Sequence, residues 1–211
     1  MDGHNDRFRA NPYAYCSLVT VNIQTASGDL GLQFNANKAH ETAYVDLVPW
    51  DKGSRASQVV FSPSMQNRGG KLLAGYYVPY LAFGTITSNG ASLQTLAIPK
   101  RNPKHPYVFT GGMNGCSLLL LEHTDDAYLA VHYPNSDGRE KGYPLLNGAK
   151  VVLDVHFDQY GSGSNPNAFN FLHFNDGAWT AIVQSQAQGA PSLKHRRVSM
   201  QRLSTKRLTI G

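Results

Sequence analysis

Apolar residues occur along the chain in short runs, many of them alternating with polar residues, and Gly, Asn, Pro and Ser separate these runs. The runs are rich in β-branched and aromatic residues, a composition typical of β-strands that bury one or both faces. The predicted strands are SLVTVNIQT (17–25), AYVDLVPW (43–50), SQVVFS (57–62), GYYVPYLAFGTIT (75–87), PYVFT, CSLLLLE, AYLAVHY, AKVVLDVHF, FNFLHF and WTAIVQSQ.

Helical periodicity is weak throughout the chain. HETA, beginning at His40, and SMQNRGGKLLAG (64–75) are candidates for short helical turns, but neither shows a sustained 3.6-residue apolar period. We therefore expect an α+β, β-rich fold in a single domain over residues 1–211. It would be built on a mixed β-sandwich with a few short flanking helices.

Composition narrows the class of protein. Hydrophobic residues make up 41% of the chain and charged residues 16%, which is typical of a globular protein. No apolar run approaches the length of about 18 residues needed to span a bilayer. The N-terminal residues lack a cationic segment followed by an apolar one, so we expect no signal peptide. We expect a monomer without a membrane span and with no obligatory nucleic acid.

The net charge of +5 is concentrated near the C-terminus. No acidic residue follows Asp176, and residues 194–207 form a basic segment. Such a segment is most simply a solvated terminal strand. Contact with phosphates, acidic lipids or an acidic protein surface remains the alternative. The basic residues are Lys194, Arg196, Arg197, Arg202, Lys206 and Arg207.

The segments SLLLLE and YLAVHY, joined by HTDDA, predict the clearest hairpin in the chain. A turn centred near Asp125 places His132 opposite residues 117–118, within about one residue of Cys116. Neighbours across or diagonally between strands lie about 4.5–8 Å apart. The thiol of Cys116 and the imidazole of His132 are therefore able to meet.

A thiol beside an imidazole is a candidate catalytic pair, because the imidazole takes the thiol proton and leaves a nucleophilic thiolate. Gly111, Gly112 and Gly115 add backbone freedom just before Cys116. This freedom lets the N–H groups around Met113, Asn114, Gly115 and Cys116 converge on an oxyanion. The alternative is that the glycines only form turns and that Cys116 and His132 do not meet.

Spacing within FTGGMNGC adds a third residue to this pair. Thr110 precedes Cys116 by six residues, and His132 follows Cys116 by sixteen. Over 107–134 this pattern resembles that of the bacterial protein-glutamine deamidases. They include the chemoreceptor deamidase, the catalytic domains of the cytotoxic necrotizing factors and the Burkholderia lethal factor type. The lethal factor type usually carries Ser-Gly before its Cys, where this chain has Asn114 and Gly115.

The resemblance implies a function and a role for each residue. Cys116 would attack the side-chain carbonyl of a protein glutamine, and His132 would protonate the departing ammonia. Thr110 would orient His132, and hydrolysis of the thioester would leave glutamate without a metal or organic cofactor. The resemblance also implies a bacterial toxin or effector, delivered without a recognisable signal peptide, that acts in the host cytosol. A translation-initiation helicase or a Rho-type GTPase would be typical host substrates.

Other functions fit the same residues. Proteolysis and transglutamination also proceed through an acyl-enzyme on a Cys-His pair, and a β-sandwich binding module would make Cys116 incidental. His123 is a nearer histidine, but it lies in the predicted turn. Cys16 is predicted to be buried and inert within a strand.

A second polar cluster occurs in DVHFD, where Asp154, His156 and Asp158 alternate with apolar residues. This spacing places all three side chains on one face of a strand. A solvent-facing polar side is the simplest interpretation. Binding of a divalent metal, or support of His132 by one carboxylate, are the alternatives.

Overall fold

The structure is a computed structural model in which two short helices precede a series of β-strands. It describes residues 3–22, 34–49, 58–81, 85–86, 92–134, 143–156, 159–160, 167–187 and 194–203. The helices are α1 (His4–Ala10) and α2 (Pro12–Leu18), with short 3₁₀ turns at Arg68–Gly70 and Pro144–Leu146. The strands are β1 (Thr20–Asn22), β2 (His40–Pro49), β3 (Gln58–Ser64), β4 (Leu73–Val78), β5 (Thr95–Pro99), β6 (Tyr107–Thr110), β7 (Ser117–Glu122), β8 (Ala127–Tyr133), β9 (Val151–Val155), β10 (Asn167–Asn175), β11 (Ala178–Ala187) and β12 (Lys194–Arg202).

The described strands form two sheets. The larger has the order β1-β3-β2-β4-β6-β10-β11-β12, and the smaller has the order β5-β8-β7-β9. The larger sheet is mixed, since β1 runs parallel to β3 and β4 runs parallel to β6, whereas the smaller sheet is antiparallel. This arrangement confirms the predicted β-rich α+β fold on a mixed sandwich with short helices.

The main core lies between the two sheets. Alternate residues of strands β4 to β11 point to this core, as the period of two requires. Burial of these apolar side chains is the principal source of stability for the sandwich. Its buried residues are Tyr76, Val78, Leu96, Ile98, Val108, Met113, Cys116, Leu118, Leu120, Ala130, Leu153, Val155, Tyr160, Ala168, Leu172, Trp179, Ala181, Val183 and Leu203.

The two helices cover the other face of the larger sheet. Phe8 of α1 is fully buried there, and its ring lies 5.1 Å from the ring of Phe171 on β10. Asn11 caps α2 by accepting a hydrogen bond from the N–H of Ala14, and Pro12 occupies the first turn. This Asn-Pro start is a helix signal. The sequence prediction missed both helices.

The outer face of the smaller sheet carries a third, smaller apolar cluster. Leu119, Leu121, Val131 and Tyr133 are buried there, and partly buried side chains from 143–146 pack against them. The smaller sheet is therefore covered on both faces. This explains why LLLL in β7 is a continuous apolar run rather than an alternating one.

Several strand predictions need correction. The predicted strand 17–25 begins too early, because Ser17 and Leu18 end α2 and β1 starts at Thr20. HETA is not a helical turn but the start of β2. The strand predicted from Gly75 ends at Val78, directly before Pro79, whose ring cannot donate to a ladder. Strand β5, TLAIP, was not predicted, although its buried and exposed residues alternate.

Candidate active site

Strands β7 and β8 form the hairpin predicted from the sequence. Ser117 pairs with Tyr133, and Leu118 pairs with His132, which is the register expected from a turn near Asp125. His132 therefore lies close to the open end of the hairpin and faces the core between the sheets, as Leu118 does.

Thr110 and His132 contact each other across the two sheets. Thr110 is the last residue of β6 in the larger sheet, whereas His132 belongs to β8 in the smaller sheet, and both side chains are buried. Oγ1 of Thr110 lies 2.6 Å from Nδ1 of His132 and donates a hydrogen bond of 2.8 Å to the carbonyl of Val78. The structure thus brings together two of the three residues that the motif singled out.

These two contacts determine the tautomer of His132. A threonine hydroxyl has one proton, and a carbonyl only accepts, so the proton of Thr110 is used on Val78. Nδ1 of His132 must then carry the proton shared with Thr110. Nε2 is left as the unprotonated nitrogen, and it is buried without a hydrogen-bond partner within the described part of the chain.

Burial keeps the His132 ring neutral. It lowers the pKa of the imidazole from 6.5 to about 3, because the protonated ring would lose its hydration. At physiological pH the ring is therefore neutral, with a basic nitrogen directed into the protein interior. A neutral imidazole is the form that accepts a proton.

Cys116 lies on the same side of the smaller sheet as His132. It directly precedes β7 and stands two residues before Leu118, the partner of His132. Cys116 is therefore a diagonal neighbour of His132, a relation in which Cα atoms are usually about 7–8 Å apart. Its side chain is buried, with 4% exposed. The third motif residue thus belongs to the same region of the core.

The backbone at Cys116 is held by a phenol. The hydroxyl of Tyr160 donates to the carbonyl of Cys116, and Oγ of Ser185 on β11 donates to the carbonyl of Tyr160 at 2.6 Å. Burial raises the pKa of the Tyr160 phenol, so it remains a protonated donor. This chain of bonds connects the nucleophile candidate to the larger sheet.

The loop before Cys116 is anchored at one point. The N–H of Met113 donates to the carbonyl of Ala168 on β10, and the N–H of Ala168 donates to the carbonyl of Met113. The Met113 amide is therefore committed to β10 and does not serve an oxyanion, contrary to the prediction. Gly115 has a φ of +76°, a conformation that favours glycine. Asn114, Gly115 and Cys116 remain the candidates for an oxyanion-binding backbone.

Tyr80 lies against His132. Their ring centroids are 4.9 Å apart, and the tyrosine is partly exposed. Tyr80 therefore contacts the buried imidazole and also reaches solvent. Burial raises the pKa of its phenol, so the ring beside His132 is uncharged.

The second cysteine is remote from this site. Cys16 lies in α2, not in a strand as predicted, and it is fully buried on the helix-covered face of the larger sheet. Burial raises the pKa of its thiol, which leaves it protonated and unreactive. His123, the alternative base, is exposed in the hairpin turn, at the opposite end of the hairpin from Cys116.

Within the DVHFD cluster, Asp154 faces away from His132. Asp154 pairs with Leu119 and so faces the outer side of the smaller sheet, whereas Val155 pairs with Leu118 and faces the core. Asp154 is therefore not placed to support His132, which was one of the alternatives for a carboxylate of this cluster. β9 ends at Val155, before His156, and Asp158 lies outside the described residues. No group of three or more His, Cys, Asp or Glu side chains able to hold a metal occurs among the described residues.

The basic segment 194–207 begins as strand β12, at the edge of the larger sheet. Val198 packs against the helix-side core, Met200 is 57% exposed, and the guanidinium of Arg202 donates to the carbonyl of Asp176. Residues 204–207 lie outside the described chain. The strand agrees with the simplest interpretation of this segment.

Sequence reasoning missed three residues of the site region. Two of them, Tyr80 and Tyr160, have no local sequence pattern that distinguishes them from other aromatic residues. Asn170 is the third: it is fully buried in β10, and neither its Oδ1 nor its Nδ2 has a hydrogen-bond partner within the described residues. A polar residue inside the apolar run FNFLHF was the available signal.

A comparison with protein families gives one finding. The family model described as the Mcf1 activator-binding domain matches residues 64–207, which is more than half of the chain. The chain belongs to the Mcf1 activator-binding domain family. Thr110, Cys116 and His132 all lie within the matched region. No curated protein matches the chain in a sequence search.

The match to the Mcf1 activator-binding domain family runs from the end of β3 into the basic segment. It therefore covers the whole smaller sheet and strands β4, β6, β10, β11 and β12 of the larger sheet. The resemblance to glutamine deamidases stays a prediction that depends on Thr110, Cys116 and His132. No helix in the described ranges is long and apolar enough to cross a membrane.

Proposed function

We propose that this chain is a cysteine-dependent protein-glutamine deamidase with Cys116 as nucleophile, His132 as base and Thr110 as the positioning residue. The observation that carries the proposal is the pair of environments around the two ring nitrogens of His132. Its Nδ1 is held by Thr110 across the two sheets, and its unprotonated Nε2 is buried without a partner among the described residues. A histidine serving only to pack a core would be expected to bond both nitrogens.

In the proposed reaction, the thiol proton of Cys116 passes to Nε2 of His132. The thiolate then attacks the side-chain carbonyl carbon of a glutamine and forms a tetrahedral oxyanion. Backbone N–H groups of Asn114, Gly115 and Cys116 are the candidates to stabilise this charge. The intermediate collapses as His132 returns the proton to the departing nitrogen, which releases ammonia and leaves a thioester.

Water completes the proposed reaction. His132 takes a proton from the water, the hydroxide adds to the thioester carbonyl, and the thiol leaves with a proton returned from His132. The products are glutamate on the substrate protein and regenerated Cys116. The sequence of bonds formed and broken needs only the substrate, water and the side chains of the chain.

Burial of the pair has a consequence for the proposed resting state. With the pKa of His132 lowered to about 3, a thiolate beside an imidazolium is costly inside the closed core. In the proposed resting state the imidazole of His132 is therefore neutral. Proton transfer then accompanies substrate binding, when the developing charge gains new hydrogen bonds.

The proposed substrate class is a host protein, and the proposed biological role is that of a bacterial toxin or effector in the host cytosol. Both depend on the resemblance over 107–134. Conversion of glutamine to glutamate replaces a donor with an acceptor and adds one negative charge, which disables a switch residue that must donate a hydrogen bond. Rho-type GTPases and translation-initiation helicases are the first substrates to test.

The test is peptide mass spectrometry of host-cell lysate treated with the wild type, Cys116→Ser or Cys16→Ala. Cys16 is the matched control, because it is the other buried thiol and lies on the opposite face of the larger sheet. We expect glutamine-to-glutamate conversion, a gain of about one dalton per site, with the wild type and Cys16→Ala only. Equal conversion by Cys116→Ser, chain cleavage or amine incorporation would each contradict deamidation by this pair.

A second candidate function follows from the family. The name of the Mcf1 activator-binding domain family describes binding of an activator, and we propose that this chain also binds a protein partner. A pull-down with Cys116→Ser and His132→Gln, beside the deamidation assay of the wild type, separates the two functions. A domain that only binds retains its partner in both variants, and its wild type deamidates nothing.

A further inference from the structure

Asn170 is a buried carboxamide that the fold does not use. It is fully buried, yet neither Oδ1 nor Nδ2 has a hydrogen-bond partner in the part of the chain that the structure describes. Leaving a buried polar group unpaired is unfavourable, so an unpartnered buried amide needs an explanation. A nearby amide shows the usual arrangement: Gln184 on β11 is equally buried and bonds Val21, Cys16 and Val19.

The position of Asn170 connects it to the candidate active site. Ala168 and Leu172, its neighbours on the same side of β10, both belong to the core between the sheets, so Asn170 points there too. In the register of β10 with β6, Leu172 pairs with Val108. Continuing that register places Asn170 opposite Thr110.

The loop leading to Cys116 is anchored beside Asn170. The isolated bridge pairs Met113 with Ala168, which is a shift of one residue relative to the pairing of β6 with β10. Counted back from this bridge, Asn170 lies opposite Gly111. Asn170 therefore faces the junction of Thr110 and Gly111, where β6 ends and the glycine-rich loop begins. Its amide shares the inter-sheet space with His132, which Thr110 contacts.

We propose that Asn170 recognises the primary carboxamide of the substrate, an inference that rests on the deamidase function proposed above. A primary amide has a carbonyl acceptor and an N–H donor side by side, and the Asn170 side chain presents the same two groups. Nδ2 of Asn170 donates to the substrate carbonyl, and Oδ1 accepts from the substrate NH₂. This reciprocal pair satisfies both unpartnered atoms at once.

The same geometry favours departure of the product. Glutamate at neutral pH only accepts hydrogen bonds, so one of its oxygens would face Oδ1 of Asn170 without a proton between them. A site of this kind discriminates against a ligand that cannot supply the missing donor. Asn170 is therefore a specificity residue for carboxamide over carboxylate.

Competitive alkylation of Cys116 tests this inference without a protein substrate. Iodoacetamide carries a primary carboxamide, and iodoacetate carries a carboxylate; in each case the thiolate sulfur bonds to the CH₂ carbon and iodide leaves. The measured quantity is the ratio of the two alkylation rates at Cys116, obtained by peptide mass spectrometry. The ratio for the same protein unfolded in urea gives the intrinsic preference of a free thiol.

We expect the folded wild type to prefer iodoacetamide about tenfold or more beyond the unfolded chain, which corresponds to about 1.4 kcal/mol of discrimination. Asn170→Leu, of similar size, should return the ratio to the unfolded value without lowering the melting temperature, because it removes two unpaired polar groups. Asn170→Asp lacks the Nδ2 donor and should also lower the ratio. Alkylation at the buried Cys16 in the same digest reports any unfolding.

Three outcomes would overturn the inference. An unchanged ratio in folded Asn170→Leu would mean that the apolar core alone excludes the charged reagent, or that Asn170 binds only water. A wild-type ratio equal to the unfolded value would show no carboxamide preference. Absence of alkylation by both reagents in the folded wild type would show a site that small carboxamides do not enter.

The failure of this inference is distinguishable from failure of the proposed function. A wild type that prefers iodoacetamide at Cys116 but deamidates no host protein would contradict only the deamidase function. Full deamidation by Asn170→Leu together with an unchanged ratio would contradict only the role of Asn170.

Discussion

The Thr110 hydroxyl has two hydrogen-bond partners, and its role as donor to one fixes its role as acceptor from the other. Donation to the carbonyl of Val78 leaves the oxygen to accept from Nδ1 of His132, so a single side chain selects one imidazole tautomer. At the residue scale, this is the feature that distinguishes the site from ordinary packing. In the proposed deamidation, Thr110 would be a positioning residue, since it would act on the reaction only through His132.

Replacing Thr110 by Val or Ser tests that role. Thr110→Val keeps the shape but leaves Nδ1 of His132 and the carbonyl of Val78 unpaired, so we expect kcat for deamidation to fall about 10–100-fold with little change in KM. Thr110→Ser retains the hydroxyl and should keep most of the activity. Equal loss in both variants, or a change confined to KM, would contradict positioning through the hydroxyl.

At the element scale, the Phe109 ring of β6 occupies the space beside Gly75 of β4. A Cβ added to Gly75 would lie 2.7 Å from two ring atoms of Phe109 and 3.1 Å from the carbonyl of Tyr107. Phe109 is fully buried in the helix-side core and has little room to move. The glycine in β4 is therefore required by a neighbouring aromatic ring rather than by a turn.

Gly75→Ala should lower the free energy of unfolding by about 1–3 kcal/mol, the usual cost of overpacking a core. Urea denaturation measures this change. Phe109→Leu is smaller at the point of contact, so the double variant should lose less stability than the sum of the two single variants. Additive losses would mean that the Phe109 ring is not the obstacle.

At the scale of the whole molecule, the candidate site joins the two halves of the sandwich. Thr110 comes from the larger sheet, and Cys116 and His132 belong to the smaller sheet and the loop before it. His132 is consequently surrounded by protein and is neutral in the folded state. The burial of this one ring makes the stability of the sandwich depend on pH.

The sign of that dependence follows from the lowered pKa of His132. The folded state binds its proton only near pH 3, whereas the unfolded chain binds one near 6.5, so between these values the unfolded state holds more protons. We expect this residue alone to reduce the free energy of unfolding by up to about 1.4 kcal/mol per pH unit as the pH falls through this window.

Urea unfolding measures this contribution when the wild type and His132→Gln are compared at several pH values. The pH range runs from 3 to 6.5, between the lowered pKa of His132 and its ordinary value. Glutamine does not titrate, so the variant should show a shallower loss of stability on acidification. The other histidines with lowered pKa values, such as His105 and His173, are common to both proteins and cancel in the difference. Parallel pH profiles would show that His132 is not the group responsible.

Local patterns in the sequence determined most of the strands, the hairpin register and the spacing of Thr110, Cys116 and His132. These features depend on alternation and turn residues, which act over a few positions. The hairpin is the clearest case, because its register follows from one turn near Asp125. The sequence pattern did not predict the N-terminal helices, because their apolar faces are short and the larger sheet supplies their burial.

Only the tertiary structure decided which groups meet across the core. Thr110 and His132 lie in different sheets, Tyr160 reaches Cys116 across 44 positions of sequence, and Asn170 faces the site from β10. Contacts of this kind depend on how two sheets stack, and stacking depends on the shapes of many side chains at once. The charge state of His132 likewise comes from burial, which no local pattern encodes.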